Sequence, residues 1–304
     1  MKVFEYFGLH KEKKSIYKHA PVYVHEINKK KVIIKRTKEQ VDRIGPLHIW
    51  QKYLCEKGIK TIFPIEYKNK LYHTIDEDNW VIYPFIEGEK YTATKGQIYN
   101  AGELLGKVHS TSDSVFNHGF EWENYDNEFY GDVAGDLETI SEDYPNEFNS
   151  ENGKKLFERI KSLVENKFES IISEKFPTSD STWDYKASNL IYQADSPVLI
   201  DTDNAGKVPR FFDLALALLL FHTDVDTAPN RVLCVEEWEL FLSGYKKHID
   251  ITDIEKKHWQ DMLLFVYTDE VLWAINDLAN DESDRQKDFI KSLVGFNFSQ
   301  YNID

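Results

Sequence analysis

The stretch Trp183-Asp184-Tyr185-Lys186-Ala187-Ser188-Asn189, together with Asp201-Thr202-Asp203 shortly after it, decides the fold of this chain. The first stretch has the pattern D-x-K-x-x-N, and the second follows an apolar, strand-like run. Transfer of a phosphoryl group from a nucleotide requires a carboxylate beside the acceptor hydroxyl and oxygen ligands for Mg²⁺. Asp184, Asn189 and Asp201 supply these groups in order. The pattern therefore indicates a phosphoryl-transfer site between two strand-like segments.

Composition limits the class of protein further. The chain has 304 residues, of which 41% are hydrophobic and 14% aromatic, as is typical of a globular protein with a substantial core. Its formal net charge of −15 argues against binding to nucleic acid or to anionic membranes. The N-terminus lacks the apolar core of a signal peptide, and no apolar run is long enough to span a bilayer. Cys55 and Cys234 lie far apart, without metal-ligand spacing, and are predicted to be free thiols of a cytoplasmic protein.

The residues before position 86 are predicted to be rich in strands. Two segments of alternating polarity flank the turn Asn28-Lys29-Lys30, which predicts a β-hairpin. A helical pattern follows, interrupted by Gly45-Pro46, so that the helix could begin only at this pair. A further strand leads to a Glu-Gly pair that is the predicted hinge. These predicted elements are the strands 22–27 and 31–36, the helix 38–57, the strand 80–85 and the hinge 86–89.

The residues after the hinge are predicted to be mainly helical. Apolar residues recur there at helical spacing, except near the D-x-K-x-x-N pattern, where two short strands flank a turn. The predicted helices are 101–109, 156–172, 214–221, 235–245 and 253–278. The chain is therefore predicted to divide into a β-rich N-terminal lobe, residues 1–86, and a helical C-terminal lobe, residues 87–304.

This order of parts resembles the aminoglycoside phosphotransferase and choline kinase superfamily, which includes spore-coat-kinase-like members. The resemblance extends over about residues 20–222 and is carried by 32–35, 80–88, 104–109, 184–189, 200–203 and 212–215. It implies an α+β, bilobal protein-kinase-like fold, with a small antiparallel β-sheet and one helix in the N-lobe and a large, mostly helical C-lobe. It also implies ATP or GTP as co-substrate, together with Mg²⁺.

The resemblance assigns roles to the residues around the central pattern. Asp184 would orient the acceptor hydroxyl and accept its proton, and Lys186 would contact the γ-phosphate as charge shifts. Asn189 and Asp201 would hold Mg²⁺ through oxygen ligands, with Asp203 assisting at a second metal.

Three residues of the N-lobe are candidates for nucleotide binding. Lys35, at the end of a predicted strand, would neutralise the α- and β-phosphates as a point charge. Tyr83 and Phe85 precede the hinge, where an aromatic ring could stack on the base. The alternative for both aromatic residues is that they pack in the core.

Three departures from the family pattern favour another interpretation, a kinase-like binding or structural protein. Thr182 stands where the family has a histidine before the catalytic aspartate. The early strands have no glycine-rich run, so 18–21 is the candidate cover for the phosphates. The helix glutamate that would pair with Lys35 is not evident, since Glu39 lies before the helix and Glu56 at its far end.

The short distance along the chain from Asp201 to Asp213 bears on the substrate. Asp213 follows only twelve positions after Asp201, which leaves no room for the longer segment with which protein kinases hold a peptide. A small hydroxylated substrate is therefore predicted. Asp213, at the start of the next helix, is predicted to tie the catalytic loop to that helix, and His109 is predicted to be a packed core histidine.

Acidic residues indicate the charge of that substrate. The span 121–150 contains ten carboxylates, several aromatic residues and no Lys or Arg, a combination that suits a cationic ligand. Asp269, Glu270 and Trp273, on a late helix, are further candidates by the same logic. The alternative is a solvated, charged helical insertion.

The leading hypothesis is a small-molecule kinase that phosphorylates an aminoglycoside-type antibiotic or a related amino compound. A housekeeping kinase for choline, ethanolamine or a sugar shares every motif and remains open.

Overall fold

The computed structural model describes residues 2–10, 13–17, 20–112, 119–120, 127–167, 171, 173–278 and 283–304. Its N-terminal part contains a four-stranded antiparallel sheet in the order β1-β2-β4-β3. The elements of this part are α1 (Lys2–Phe7), β1 (Val22–Ile27), β2 (Lys30–Thr37), α2 (Val41–Glu56), β3 (Tyr72–Ile75) and β4 (Asp78–Pro84).

The β1–β2 hairpin forms as predicted. Its turn residues, Asn28 and Lys29, have φ values of 51° and 62°, the left-handed backbone of the tight turn that matches strand twist. Strand β2 then lies in the middle of the sheet, where Lys35 is paired with Val22 on one side and with Val81 on the other. The hairpin therefore fixes Lys35 on a strand that is braced on both edges.

Helix α2 begins earlier than Gly45-Pro46, so the possibility of a later start is wrong. The amide groups of Arg43 and Ile44 both donate to the Gln40 carbonyl, and this first turn forms without any contribution from the proline. Pro46 then lies inside the helix, where it cannot donate the usual backbone hydrogen bond. Trp50 on α2 is fully buried in the large core of the C-terminal part, so this helix packs on the other lobe.

The C-terminal part is mostly helical and carries two small sheets, β5 with β8 and β6 with β7. Its helices are α3 (Lys95–Ser110), α4 (Asn127–Asp143), α5 (Pro145–Phe148), α6 (Glu151–Asn166), α7 (Arg210–Leu220), α8 (Val235–Tyr245), α9 (Asp253–Val266), α10 (Leu272–Leu278) and α11 (Asp284–Val294). Its strands are β5 (Thr178–Ser181), β6 (Leu190–Gln193), β7 (Ser196–Leu199) and β8 (Gly206–Pro209). A π-helical turn, Tyr267–Val271, joins α9 to α10. The predicted α+β, protein-kinase-like fold is confirmed, with one difference: the N-terminal part has a short helix, α1, in addition to the one helix that was predicted there.

Helix α7 forms the centre of the helical part. Residues 211–219 are all buried, and all of them except Asp213 are apolar, as expected of a helix surrounded by protein. Its N-terminus lies directly after β8, and its C-terminus lies beside the catalytic loop, because the Ala187 amide donates to the Phe221 carbonyl at 3.0 Å. The core therefore holds the loop that carries the central motif.

Helices α3 and α8 approach so closely that glycine is required at their contact. A Cβ atom on Gly102 would lie 1.8 Å from the Phe241 carbonyl oxygen, and one on Gly244 would lie 2.0 Å from the Tyr99 carbonyl oxygen. Backbone atoms of a buried helix cannot move aside cheaply, so each methyl group would force the helices apart.

We therefore expect Gly102→Ala to lower the free energy of unfolding by about 3 kcal/mol, the upper end of the cost of overpacking. Gly135→Ala is the matched control, since Gly135 lies on an exposed part of α4 with nothing near its added methyl group. The control should gain about 0.5–1 kcal/mol from helix propensity. Urea denaturation measures both, and equal stability of the two variants would contradict the close packing.

Within the described residues, no helix combines the length and the apolar character needed to cross a bilayer. Cys55 and Cys234 are free thiols, as predicted.

Candidate active site

The D-x-K-x-x-N motif lies on the loop between β5 and β6 and ends in a short 3₁₀ turn, Ala187–Asn189. Strands β6 and β7 form a hairpin that returns the chain to the same place. The Ile200 amide donates to the Asn189 carbonyl at 2.9 Å, so Asp201 follows directly beside the motif. The hairpin therefore joins two stretches that are separated in sequence.

Asp184 is held by the other two polar residues of its motif. The Asn189 side-chain amide donates to Asp184 Oδ2 at 3.0 Å and to the Asp184 carbonyl at 2.8 Å. Lys186 Nζ lies 3.3 Å from Asp184 Oδ1. Burial raises the pKa of Asp184, while Lys186 and the Asn189 hydrogen bond oppose the rise. The carboxylate nevertheless keeps 33% of its side-chain surface exposed, which leaves it open to a substrate.

Lys35 reaches the same place from the N-terminal sheet. Its Nζ lies 2.7 Å from Asp201 Oδ1 and 3.2 Å from Asp203 Oδ2. Burial disfavours the charge on Lys35, but the two carboxylates outweigh burial and raise the pKa of the amine. Asp203 is the more enclosed of the two acids, with 9% of its side chain exposed against 34% for Asp201. The structure thus brings Lys35, Asp201 and Asp203 together.

Both candidate glutamates for Lys35 pair elsewhere, Glu39 with Arg43 at 2.9 Å and Glu56 with Lys52 at 3.8 Å. Helix α2 instead presents Gln51, which is fully buried. Its side-chain amide donates to Thr202 Oγ1 at 2.7 Å and to the Tyr83 hydroxyl at 3.3 Å. A neutral amide therefore ties α2 to the 201–203 segment.

The two aromatic candidates near the hinge differ in accessibility. Tyr83 is 3% exposed, and its hydroxyl is engaged by Gln51, which leaves no ring face open to a nucleotide base. Phe85 is half-buried and carries the Lys31 ammonium 5.1 Å from its ring centroid. Tyr83 therefore packs in the core, as the alternative interpretation predicted. Phe85 is the residue of the pair that keeps accessible surface for a ligand.

A serine organises the segment that precedes β1. Ser15 Oγ accepts from the amides of Tyr17 and Val22 and donates to the Ala20 carbonyl. Residues 18–19 of the predicted phosphate cover lie outside the described residues. Burial raises the pKa of Tyr17 and the nearby Lys186 opposes this, so the electrostatic field of the site extends to this segment. No sequence pattern indicated Tyr17.

A buried hydrogen-bond network lies next to the catalytic loop, at the end of β5. His109 Nε2 lies 3.0 Å from Asp213 Oδ2, and its Nδ1 lies 2.9 Å from the Tyr245 hydroxyl. Ser181, the last residue of β5, also donates to Asp213 Oδ2. His109 and Asp213 have no exposed side-chain surface, which confirms that His109 is a core histidine. The network ties α3, β5 and α7 together although position 182 carries no histidine.

Sequence reasoning missed Asp224 and the role of Trp183. Asp224 lies just beyond α7, and its Oδ2 is 3.2 Å from Lys186 Nζ. Trp183 has a φ of 50°, and its indole N–H donates to Glu270 Oε1 at 3.0 Å. The ring of Trp183 lies against Gly206, where an added Cβ would approach to 2.7 Å. Neither residue has a periodic or spacing signal that could have placed it at the site.

Of the candidate substrate residues, Glu270 contacts the catalytic loop, because it accepts the hydrogen bond of the Trp183 indole. Asp269 and Glu270 are on the π-helical turn, an irregularity that occurs often at functional sites, and both are partly exposed. Trp273, on the first turn of α10, is 62% exposed. Helix α4 of the acidic span packs against α10 through a bond from Asn276 to Asp136 at 2.6 Å. The first six residues of that span, 121–126, lie outside the described residues.

The donor set fits a hard divalent cation. Asp201 offers a partly exposed carboxylate, and Asn189 turns its amide nitrogen toward Asp184, which leaves its amide oxygen for another partner. Nowhere in the described part of the chain do three His, Cys, Asp or Glu residues form a self-contained metal site. Mg²⁺ commonly uses only one or two carboxylates and completes its octahedron with water and phosphate oxygens. The residues present match that mode of binding.

The bilobal fold and the grouping of Asp184, Asn189, Asp201 and Lys35 define a protein-kinase-like phosphotransferase. The model of the APH family, the phosphotransferase enzyme family, matches residues 19–246. The chain belongs to this family and is a phosphotransferase. A comparison with curated protein sequences finds no match.

Solved structures with the same fold include three small-molecule kinases. A microcompartment-associated aminopropanol kinase is 15% identical, with a TM-score of 0.68 over 97% of this chain and 93% of that chain. An amicoumacin kinase, in complex with AMP-PNP, Ca²⁺ and its ligand, is 18% identical, with a TM-score of 0.65 over 95% and 92%. A spectinomycin phosphotransferase, in complex with ADP and spectinomycin, is 17% identical, with a TM-score of 0.64 over 95% and 92%.

Proposed function

We propose that the protein is a Mg²⁺-dependent kinase that transfers the γ-phosphate of ATP or GTP to a hydroxyl group of a small, aminated molecule in the cytoplasm. The observation that carries the proposal is the approach of two side-chain groups, Asp184 with Lys186 and Asn189, and Lys35 with Asp201, each held by contacts of 2.7–3.3 Å. The hydrogen bond from the Ile200 amide to the Asn189 carbonyl, at 2.9 Å, brings the two groups side by side. These are the groups that the transfer requires, and they come from both lobes, whose boundary we place at residues 86 and 87.

Each residue contributes positioning or charge. Asp184 orients the acceptor hydroxyl and takes its proton as the new O–P bond forms and the bond from the γ-phosphorus to the β–γ bridging oxygen breaks, which releases ADP or GDP. A loose transition state requires an aligned carboxylate more than a strong base, so an aspartate suffices. Lys186 balances charge on the transferred group, and Lys35 balances charge on the remaining phosphates.

We propose Asn189 and Asp201 as the Mg²⁺ ligands, with Asp203 assisting while it also balances Lys35. When bound, Mg²⁺ would neutralise phosphate charge and orient the phosphates for in-line transfer. Phe85, at the hinge, is our candidate contact for the base.

The segment after Asp201 supports a small acceptor. Strand β8 (Gly206–Pro209) begins only five residues later, and α7 follows without a connecting loop. A peptide substrate would need an extended platform at this position, and the chain passes directly into the core instead. On one side of the catalytic loop, Trp183 donates to Glu270 of the π-helical turn, and Trp273 follows one turn later along the chain.

The charge on that side supports an amine on the acceptor. Asp269 and Glu270 are partly exposed there beside an exposed indole ring, and carboxylates with aromatic faces bind ammonium groups. The aminopropanol kinase of the same fold is named for an amino alcohol. An aminoglycoside-like compound and a simple amino alcohol both fit this chemistry.

We expect turnover to depend on the amine. A panel of aminoglycosides, amino alcohols and sugars should contain acceptors whose kcat/KM exceeds that of their deaminated analogues by about tenfold or more, since a paired ammonium group contributes 1–2 kcal/mol. A coupled assay of ADP or GDP release measures this with each nucleotide in turn. Equal rates for amino and deaminated partners would contradict the aminated class. A preference for choline, ethanolamine or neutral sugars would favour a housekeeping metabolite kinase.

A further inference from the structure

Lys186 has a second carboxylate partner that lies outside the catalytic motif. Its Nζ is 3.3 Å from Asp184 Oδ1 and 3.2 Å from Asp224 Oδ2, so the ammonium group lies between two acids. All three side chains are between 21% and 33% exposed, at the border of the cleft. Burial disfavours the charge of Lys186, but Asp184 and Asp224 outweigh burial and raise the pKa of this lysine.

The backbone holds Asp224 in an unusual conformation. Its φ of 60° is left-handed, a region that costs most residues about 1 kcal/mol or more and that Asn, Asp and Gly tolerate best. The turn before it is fixed on several sides. The Ala187 amide donates to the Phe221 carbonyl at 3.0 Å, and Arg285 of α11 donates to the His222 carbonyl at 2.9 Å. The turn is thus attached to the catalytic loop one residue after Lys186.

Asp184 alone would be a poor partner for this lysine. If Lys186 were held only by Asp184, the ion pair would occupy the carboxylate that must receive the acceptor hydroxyl. A lysine ammonium has three donors, so Asp224 can keep one of them while another turns from Asp184 to a phosphate oxygen. Asp224 would then hold Lys186 in the cleft and leave Asp184 free.

We infer that Asp224 is a positioning residue for Lys186, which directs the lysine to the γ-phosphate of the bound nucleotide. This inference rests on the proposed function. It assigns a catalytic contribution to the turn after α7, a segment with no recognisable motif.

The test compares affinities for AMP-PNP and ADP, because their ratio reports contacts to the γ-phosphate without any acceptor. In the presence of Mg²⁺, calorimetry should show that wild-type protein prefers AMP-PNP. Asp224→Asn keeps the size and the backbone preference of the residue and should reduce this preference about tenfold, with ADP affinity and melting temperature nearly unchanged. Asp226→Asn is the control. Asp226 is 85% exposed and forms a surface ion pair with Lys90 at 3.7 Å, so its substitution should leave the ratio of the two affinities unchanged.

A double-mutant cycle separates positioning from a direct or structural role. In a Lys186→Met background, Asp224→Asn should have no further effect on the ratio, because the residue through which it acts is gone. An equal effect in both backgrounds, or an unchanged ratio in Asp224→Asn, would overturn the inference and leave the proposed function intact. A lower melting temperature with an unchanged ratio would show a purely structural ion pair and overturn it as well. If wild-type protein bound neither nucleotide, the proposed function itself would fail, and the inference with it.

Discussion

Asp184→Asn is expected to lower kcat by about 10³-fold while leaving the fold and the nucleotide affinity close to those of the wild type. The variant removes the proton acceptor and keeps the shape. An asparagine at this position can still offer its amide oxygen to the Asn189 amide, the bond that now measures 3.0 Å. Lys186 would retain Asp224 as its partner. The loss should therefore appear in turnover, measured by nucleoside diphosphate release, with nucleotide affinity measured separately.

Asp195→Asn is a suitable control for this variant. Asp195 lies at the exposed turn of the β6–β7 hairpin, which leads to Asp201, and it accepts a hydrogen bond from Thr94. The control should keep wild-type turnover. Full activity in Asp184→Asn would show that the catalytic assignment is wrong, and a collapse of its melting temperature would show that the loss reflects the fold.

Asp201→Asn is expected to reduce the affinity for Mg²⁺, measured in the presence of AMP-PNP, by at least about 100-fold. Asp201 is the proposed carboxylate ligand, and a neutral amide is a weaker partner for a hard cation. The fold should survive, because Lys35 keeps its ion pair with Asp203 at 3.2 Å. The substitution also removes the repulsion between the Asp201 and Asp203 carboxylates.

Asp203→Asn provides the matched comparison within the same segment. Asp203 is enclosed and paired with Lys35, so its loss should affect stability and phosphate binding more than Mg²⁺ affinity, which should fall by no more than about tenfold. Titration of Mg²⁺ into each variant with AMP-PNP present shows which of the two substitutions lowers the Mg²⁺ affinity more. The reverse order would assign the principal ligand to Asp203.

The parts of the fold that are governed by local rules could be predicted from the sequence. The hairpin was predictable because alternating segments flank a turn that contains Asn28, a residue type that tolerates the left-handed backbone of a tight turn. The start of helix α2 was harder to predict, because a proline such as Pro46 often marks the first turn of a helix, whereas here it lies in the second turn. Its first turn closes on the Gln40 carbonyl, a bond that no spacing reveals.

The candidate site was predictable where it follows one stretch of chain. Asp184, Lys186 and Asn189 lie within six residues, so their grouping needs only a loop. The partner of Lys35 was not predictable, because it comes from residues 201–203 rather than from the helix, and Gln51 gives no charge signal of its own. Asp224 reaches Lys186 only through the turn that ends a buried helix.

³¹P NMR of the protein with ATP or GTP, Mg²⁺ and each aminated acceptor of the panel tests the proposed phosphoryl transfer most directly. We predict that the γ-phosphate signal is replaced by that of a phosphomonoester with at least one acceptor, and that EDTA or Asp184→Asn prevents the change. A γ-phosphate that stays intact with every acceptor, or a phosphomonoester that forms equally fast in Asp184→Asn, would contradict the account.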